Sequence, residues 1–149
     1  MMAFYWPVRV YYEDTDTGGV VYHSNYLSFM ERARTEYLRA KGISQSLLKD
    51  KNQLIFAVRQ LSTEYIRPAR FDDFLAIKTT IQSHSRLTLQ FRQEIYRVSD
   101  ECAKALPGWQ APPALGELLC EGLVKVVALD ALTMQPKRMS VELFEEMNS

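Results

Sequence analysis

The stretch Glu13-Asp14-Thr15-Asp16-Thr17-Gly18-Gly19 sets three acids and two glycines between a β-rich segment and an amphipathic one. Three chemistries use acidic residues at such spacing. A calcium loop needs an oxygen ligand at position 18 and a glutamate at its twelfth position, which here is Asn25. Both requirements fail. A phosphatase-type aspartate pair wants Thr or Val at position 18 and a doubly wound parallel sheet behind it, and neither is indicated. The third is a lone catalytic carboxylate, Asp16, in a glycine-hinged turn just ahead of a helix. Gly18 and Gly19 permit positive φ and let a substrate approach the backbone. A helix start near His23 and Ser24 offers unpaired N–H groups at the positive end of the helix dipole. Such donors can hold a carbonyl oxygen as it becomes an oxyanion, an effect worth roughly 3–4 kcal/mol per donor. Acyl transfer then needs only a base or nucleophile. Capping and solvation of the turn would explain the same acids, and spacing alone does not choose.

The elements that must position this segment follow from periodicity. Val8 to Tyr12 alternates and reads as a strand. A helix starts near Ser24 or Asn25, either a good N-cap, and carries Tyr26, Met30, Ala33 and Tyr37 at intervals of four, three and four, widened by Leu27 and Leu38. Gly42 ends it as a left-handed C′ residue. Period two then takes over in Leu54–Ile66, Phe74–Ser83, Leu87–Arg97 and Leu118–Leu129, the last apolar on both faces and so internal to its sheet. A short helix, Val141–Met147, closes the chain. The connections between the later strands are too short for parallel crossovers, so the sheet is antiparallel, with the long helix on one face. The class is α+β. Ser99–Gly116, with three prolines and Trp109, is too long for a hairpin loop and reads as a solvated insertion with local helix, or as a lid or docking loop tipped by Trp109.

Composition removes other functions. The 149 residues, 47% of them apolar, suit one globular domain, 1–149. Eighteen basic against eighteen acidic residues disfavour a nucleic-acid partner, whose affinity comes from many phosphate contacts. Two His and two Cys cannot make a four-ligand zinc site without carboxylates. No apolar run is long enough to span a bilayer, and Arg9 interrupts the start before a signal-peptide core could form. Cytoplasm is the expected compartment, with Cys102 and Cys120 as reduced, partly buried thiols. The charge is partitioned: residues 31–100 carry thirteen basic against eight acidic side chains, and residues 1–30 carry one against three.

Arg9-Val10-Tyr11-Tyr12-Glu13-Asp14-Thr15-Asp16-Thr17-Gly18-Gly19-Val20-Val21-Tyr22-His23-Ser24-Asn25-Tyr26, running into Glu31-Arg32-Ala33-Arg34-Thr35-Glu36, resembles the signature of the 4-hydroxybenzoyl-CoA thioesterase family, in particular its Tol–Pal-associated, YbgC-type acyl-CoA thioesterase branch. Glu64-Tyr65-Ile66-Arg67-Pro68-Ala69-Arg70-Phe71-Asp72-Asp73 resembles the same branch. Only Ser99–Gly116 departs from it by its length. The resemblance implies a hotdog fold, an antiparallel sheet wrapped around one helix, and dimers that pair into tetramers with sites at subunit interfaces. It implies hydrolysis of an acyl-CoA thioester without metal or other cofactor. It maps the catalytic aspartate onto Asp16, as general base or nucleophile, and the carbonyl-polarising backbone N–H onto His23. The His23 ring and Tyr12 are implied to line the site. With Gly19 giving substrate its approach, Arg59, Arg67, Arg70 and Arg86 are candidates to bind the phosphates of coenzyme A, because guanidinium forks suit phosphate oxygens. A different class of function would be a hotdog binding module that engages acyl-carrier protein or an envelope or lipid-synthesis complex, with hydrolysis incidental.

Overall fold

The computed structural model describes residues 2–148. Strand β1 (Phe4–Arg9) leads through a 3-10 turn at Tyr12–Asp14 into helix α1 (His23–Ala40). Helix α2 (Gln45–Asn52), strands β2 (Leu54–Tyr65), β3 (Phe74–His84) and β4 (Thr88–Val98), helix α3 (Asp100–Lys104), strand β5 (Leu118–Asp130) and helix α4 (Val141–Asn148) follow. One five-stranded sheet runs in the order β1-β3-β4-β5-β2 with every pair antiparallel. β5 is internal, as its two apolar faces predict. The sheet lies against α1, whose buried face is Tyr26, Phe29, Met30, Ala33, Tyr37 and Leu38. This is the hotdog arrangement. Among the described residues no helix is long and apolar enough to cross a membrane.

Close packing of helix on sheet has identifiable causes. A Cβ at Gly122 on β5 would lie 3.1 Å from the Met30 side chain and 3.4 Å from the Ser62 carbonyl oxygen, so glycine lets α1 settle there. Beside it a buried polar group is fully used. Gln93, on the inward face of β4, donates from Nε2 to the Met30 carbonyl at 2.9 Å and to Thr79 Oγ1 at 3.0 Å. Its Oε1 accepts from Arg34 at 3.0 Å. Burial of Gln93 would be costly without these bonds, and with them it fixes the helix register on the sheet.

Four expectations need correction. β1 ends at Arg9 rather than Tyr12, because Val10 N–H turns to the Asp73 carbonyl and Tyr11–Asp14 coil into the 3-10 turn. α1 starts at His23, not Ser24 or Asn25, with Tyr22 extended at the N-cap position and no side-chain cap. Gly42 does take positive φ, at 81°, beyond the C-cap Lys41. α2 is absent from the periodic pattern because it buries no residue; the Ser44 hydroxyl caps it from outside. Finally, Trp109 is not a free lid tip. Gly108 exchanges backbone hydrogen bonds with Tyr5 at 2.8 and 3.1 Å, which covers the edge of β1. The Trp109 ring then packs 4.9 Å from Phe4 and 5.2 Å from Tyr37, while Cys102 and Ala103 of α3 are buried in a separate cluster with Ala76 and Val98.

Candidate active site

The loop between β1 and α1 is built around Asp14, which is buried. Its Oδ2 accepts from Tyr11 N–H at 2.9 Å, its Oδ1 from the Asn25 side-chain amide at 3.0 Å, and its carbonyl from Tyr22 N–H at 2.9 Å. Asn25 is therefore a bridge to the loop rather than a cap. Asp16 is held differently. A bridge between Thr15 and Val21 closes the loop, Asp16 N–H donates to Val20 at 2.9 Å, and Gly19 N–H returns to the Asp16 carbonyl at 3.0 Å. One carboxylate oxygen, Oδ1, accepts from Gly18 N–H at 2.8 Å. The other has no hydrogen-bond partner among the described residues, and the side chain is exposed. Of the two loop glycines, Gly19 alone uses positive φ, 79°. Gly18 serves by its smallness, since a Cβ there would sit 3.2 Å from Asp16 Oδ1.

His23 is the first residue of α1, so its N–H and that of Ser24 have no acceptor within the helix. The imidazole is exposed, 4.4 Å from the Tyr22 ring and edge-on to Tyr65 at 6.5 Å. A cavity of about 280 Å³ opens beside it, lined by Val21, His23, Tyr26, Tyr65, Arg67 and Pro68 among others. Burial pushes the phenol pKa values of both Tyr26 and Tyr65 upward. Tyr26 Oη accepts from Ala69 N–H at 2.9 Å. The flanking loop is anchored by Arg97, which donates to Asp73 at 3.0 Å, to Glu117 at 2.7 Å and to the Pro68 carbonyl at 2.7 Å. Neither Tyr65 nor Arg97 stood out in the sequence, because each reads as an ordinary strand residue.

The candidate residues divide in space. Asp16, Gly19 and His23 share one loop and helix start; Arg67 lines the cavity beside His23, 3.8 Å from Glu117; and Arg70 is joined to Val20 by a backbone bridge. Tyr12 belongs to the 3-10 turn, neither strand nor core: it is 76% exposed and stacks on Phe71 at 3.8 Å with the rings 7° from parallel. Arg59 sits exposed at the bulge of β2. Arg86 lies apart. Arg9, near the loop, pairs with Phe74 at the start of β3, whereas Arg86 follows the end of that strand, about 33 Å further at 3.3 Å per residue. Its Nε is committed to the Met139 carbonyl at 2.9 Å.

A second cavity, about 460 Å³, lies along the same helix. Its lining on the helix begins at Glu31, eight residues or about 12 Å along the helix axis from His23, and it has Leu38, Phe56, Val58, Leu89 and Phe91 as apolar walls. Arg34 also borders it, with its pKa lowered by burial. One exposed carboxylate, a helix start with open N–H groups and an apolar cavity along the helix form a set that can activate water, hold an oxyanion and shelter an apolar chain. Among the described residues no cluster of His, Cys, Asp and Glu could hold a metal ion.

The profile of the Thioesterase superfamily matches residues 18–104. The chain is 43% identical over 143 residues to the acyl-CoA thioester hydrolase YbgC of Escherichia coli O157:H7, covering 96% of this chain and 94% of that one. A probable thioesterase from Bartonella henselae superposes with a TM-score of 0.74 at 32% identity over 92% of this chain and 99% of that one. The fold of a 4-hydroxybenzoyl-CoA thioesterase also matches, with a TM-score of 0.82 over 99% of each chain at 15% identity. The chain belongs to the thioesterase superfamily and is a thioester hydrolase of its YbgC type.

Proposed function

We propose that this chain hydrolyses acyl-CoA thioesters to the free acid and coenzyme A, with Asp16 as the reacting carboxylate. The observation that carries the reading is the state of that side chain. One oxygen is fixed by Gly18 N–H and the other has no partner among the described residues, on a loop closed directly against the start of α1. The thioester carbonyl oxygen accepts from the His23 N–H at the helix start, and water, or Asp16 itself, attacks the carbonyl carbon. Collapse of the tetrahedral intermediate breaks the C–S bond and releases coenzyme A as thiol once its sulfur is protonated. If Asp16 takes the proton from water, it ends the cycle by returning that proton to the leaving thiolate or to solvent; if it attacks directly, the mixed anhydride left after thiolate departure is hydrolysed by water, which frees the acid, restores the carboxylate and supplies the thiolate's proton.

The basic middle of the sequence supports a phosphate-bearing carrier. Arg67 and Arg70 stand beside the loop, and Arg59 is exposed on β2. The acyl group runs from the helix start along α1 into the 460 Å³ cavity, between the apolar walls of Leu38, Phe56, Leu89 and Phe91 and past the polar Glu31, Arg34 and Gln45. β2 is an edge strand and exposes Val58, Leu61 and Tyr65, with Ile66 just beyond it. That edge supports a homo-oligomer in which a second copy completes the site. A panel of short, long and aromatic acyl-CoA thioesters, with an acyl-carrier-protein thioester beside them, tests the reading by thiol release. Turnover of acyl-CoA members is expected. Failure of every acyl-CoA alongside turnover of the carrier-protein thioester would reject coenzyme A as the carrier.

A further inference from the structure

Tyr65 is the last residue of β2, yet it meets the first turn of α1 at three points. Its Oη donates to the His23 carbonyl at 3.0 Å. Its ring stands edge-on to the His23 imidazole at 6.5 Å and to the Tyr26 ring at 5.4 Å. The carbonyl of a first helical residue already accepts from the N–H four residues on, so the phenol supplies a second donor from outside the helix. That carbonyl shares a peptide plane with Ser24 N–H, one of the two open donors at the helix start. A donor on the oxygen side fixes that plane and polarises the N–H at its other end. Asp14 also holds this turn, through Tyr22 N–H and Asn25.

We propose that Tyr65 is a positioning residue for thioester hydrolysis, orienting and polarising the peptide group at the start of α1 through its hydrogen bond to the His23 carbonyl. This rests on the reading that the helix start receives the thioester carbonyl, and it requires that the oxygen accepts from Ser24 N–H beside His23 N–H. Tyr65 touches the helix and not the reacting atoms, so its loss weakens carbonyl polarisation more than substrate binding. Tyr65→Phe removes the one oxygen and keeps the ring contacts, so the fold is retained.

Two measurements decide it. In steady-state kinetics, Tyr65→Phe lowers kcat about 3- to 10-fold, the range set by losing one net hydrogen bond, with KM within twofold. In infrared spectroscopy, the acyl-CoA with the highest kcat/KM, labelled with ¹³C at its carbonyl, is bound to Asp16→Asn protein with and without Tyr65→Phe. The carbonyl stretch is expected at lower frequency than in water in the single variant, and part of that shift is lost in the double variant. Equal shifts in both proteins, or an unchanged kcat with only a lowered melting temperature, would overturn the role of Tyr65 and leave the helix-start reading standing. No shift in the single variant would overturn the reading itself, and the proposal with it.

Discussion

Asp14 Oδ1 and the Asn25 side-chain amide, 3.0 Å apart, join the loop that carries Asp16 to the first turn of the helix that follows it. Asp14 is buried and its two oxygens are each used once, by Asn25 and by Tyr11 N–H. The bond spans eleven residues and fixes how the carboxylate loop and the helix start lie relative to each other.

Asn25→Ala leaves one oxygen of a buried carboxylate without its donor. Removing one partner of such a bond costs about 1–3 kcal/mol. The variant should lose that much in urea denaturation, and its kcat should fall as the loop loosens. An unchanged denaturation midpoint would show that water replaces the amide at no cost.

The cavity beyond Glu31 should set acyl-chain length. Phe56 is a half-buried wall residue on β2, outside the set exposed on that edge, and Phe56→Trp narrows a cavity that neither Asp16 nor His23 lines. For long-chain acyl-CoA the expected loss in kcat/KM is about 10-fold, the scale at which lost apolar contact and steric exclusion act on a hydrophobic pocket. Short-chain substrates should be unaffected. An equal loss for both would place the chain elsewhere.

The two thiols should be inert in the native state. Both are buried, and burial pushes the Cys120 thiol pKa up to about 12. A thiol reagent should therefore count none in native protein and two after denaturation. The same shift makes stability depend on pH. The folded state holds this proton more tightly than the unfolded chain does, so its contribution is complete below the ordinary thiol value of 9.0 and is lost as pH rises toward about 12. Tyr37, raised to about 12 by burial, adds loss in the same direction. The melting temperature should decline above about pH 9 and not on the acid side of it for these groups.

The order of elements was legible because the apolar periods are clean: Tyr26, Met30, Ala33 and Tyr37 mark α1, and alternation marks β2 to β5. What stayed hidden has physical reasons. Asn25 looks like an N-cap from sequence, yet its amide is drawn back by Asp14, a contact set by the loop's path. Gln93 falls on an apolar strand face, and only the folded chain brings Met30, Thr79 and Arg34 to its amide. Tyr65 is separated from His23 by 42 residues. Trp109 sits among prolines, which suggests a mobile loop, but Phe4 and Tyr37 give its ring an apolar seat. The arginines divide in the same way. Arg67 and Arg70 come to the loop, while Arg86 has equal chemical standing in sequence and is spent on the Met139 carbonyl.

The most direct test is the kcat of Asp16→Asn against wild type on the acyl-CoA that the wild-type protein turns over fastest. The amide keeps an oxygen to accept from Gly18 N–H, so the loop geometry survives and only the carboxylate chemistry is removed. With Asp16 as base or nucleophile, kcat should fall about 10²- to 10⁴-fold with the melting temperature unchanged. A kcat within a few-fold of wild type would contradict the account.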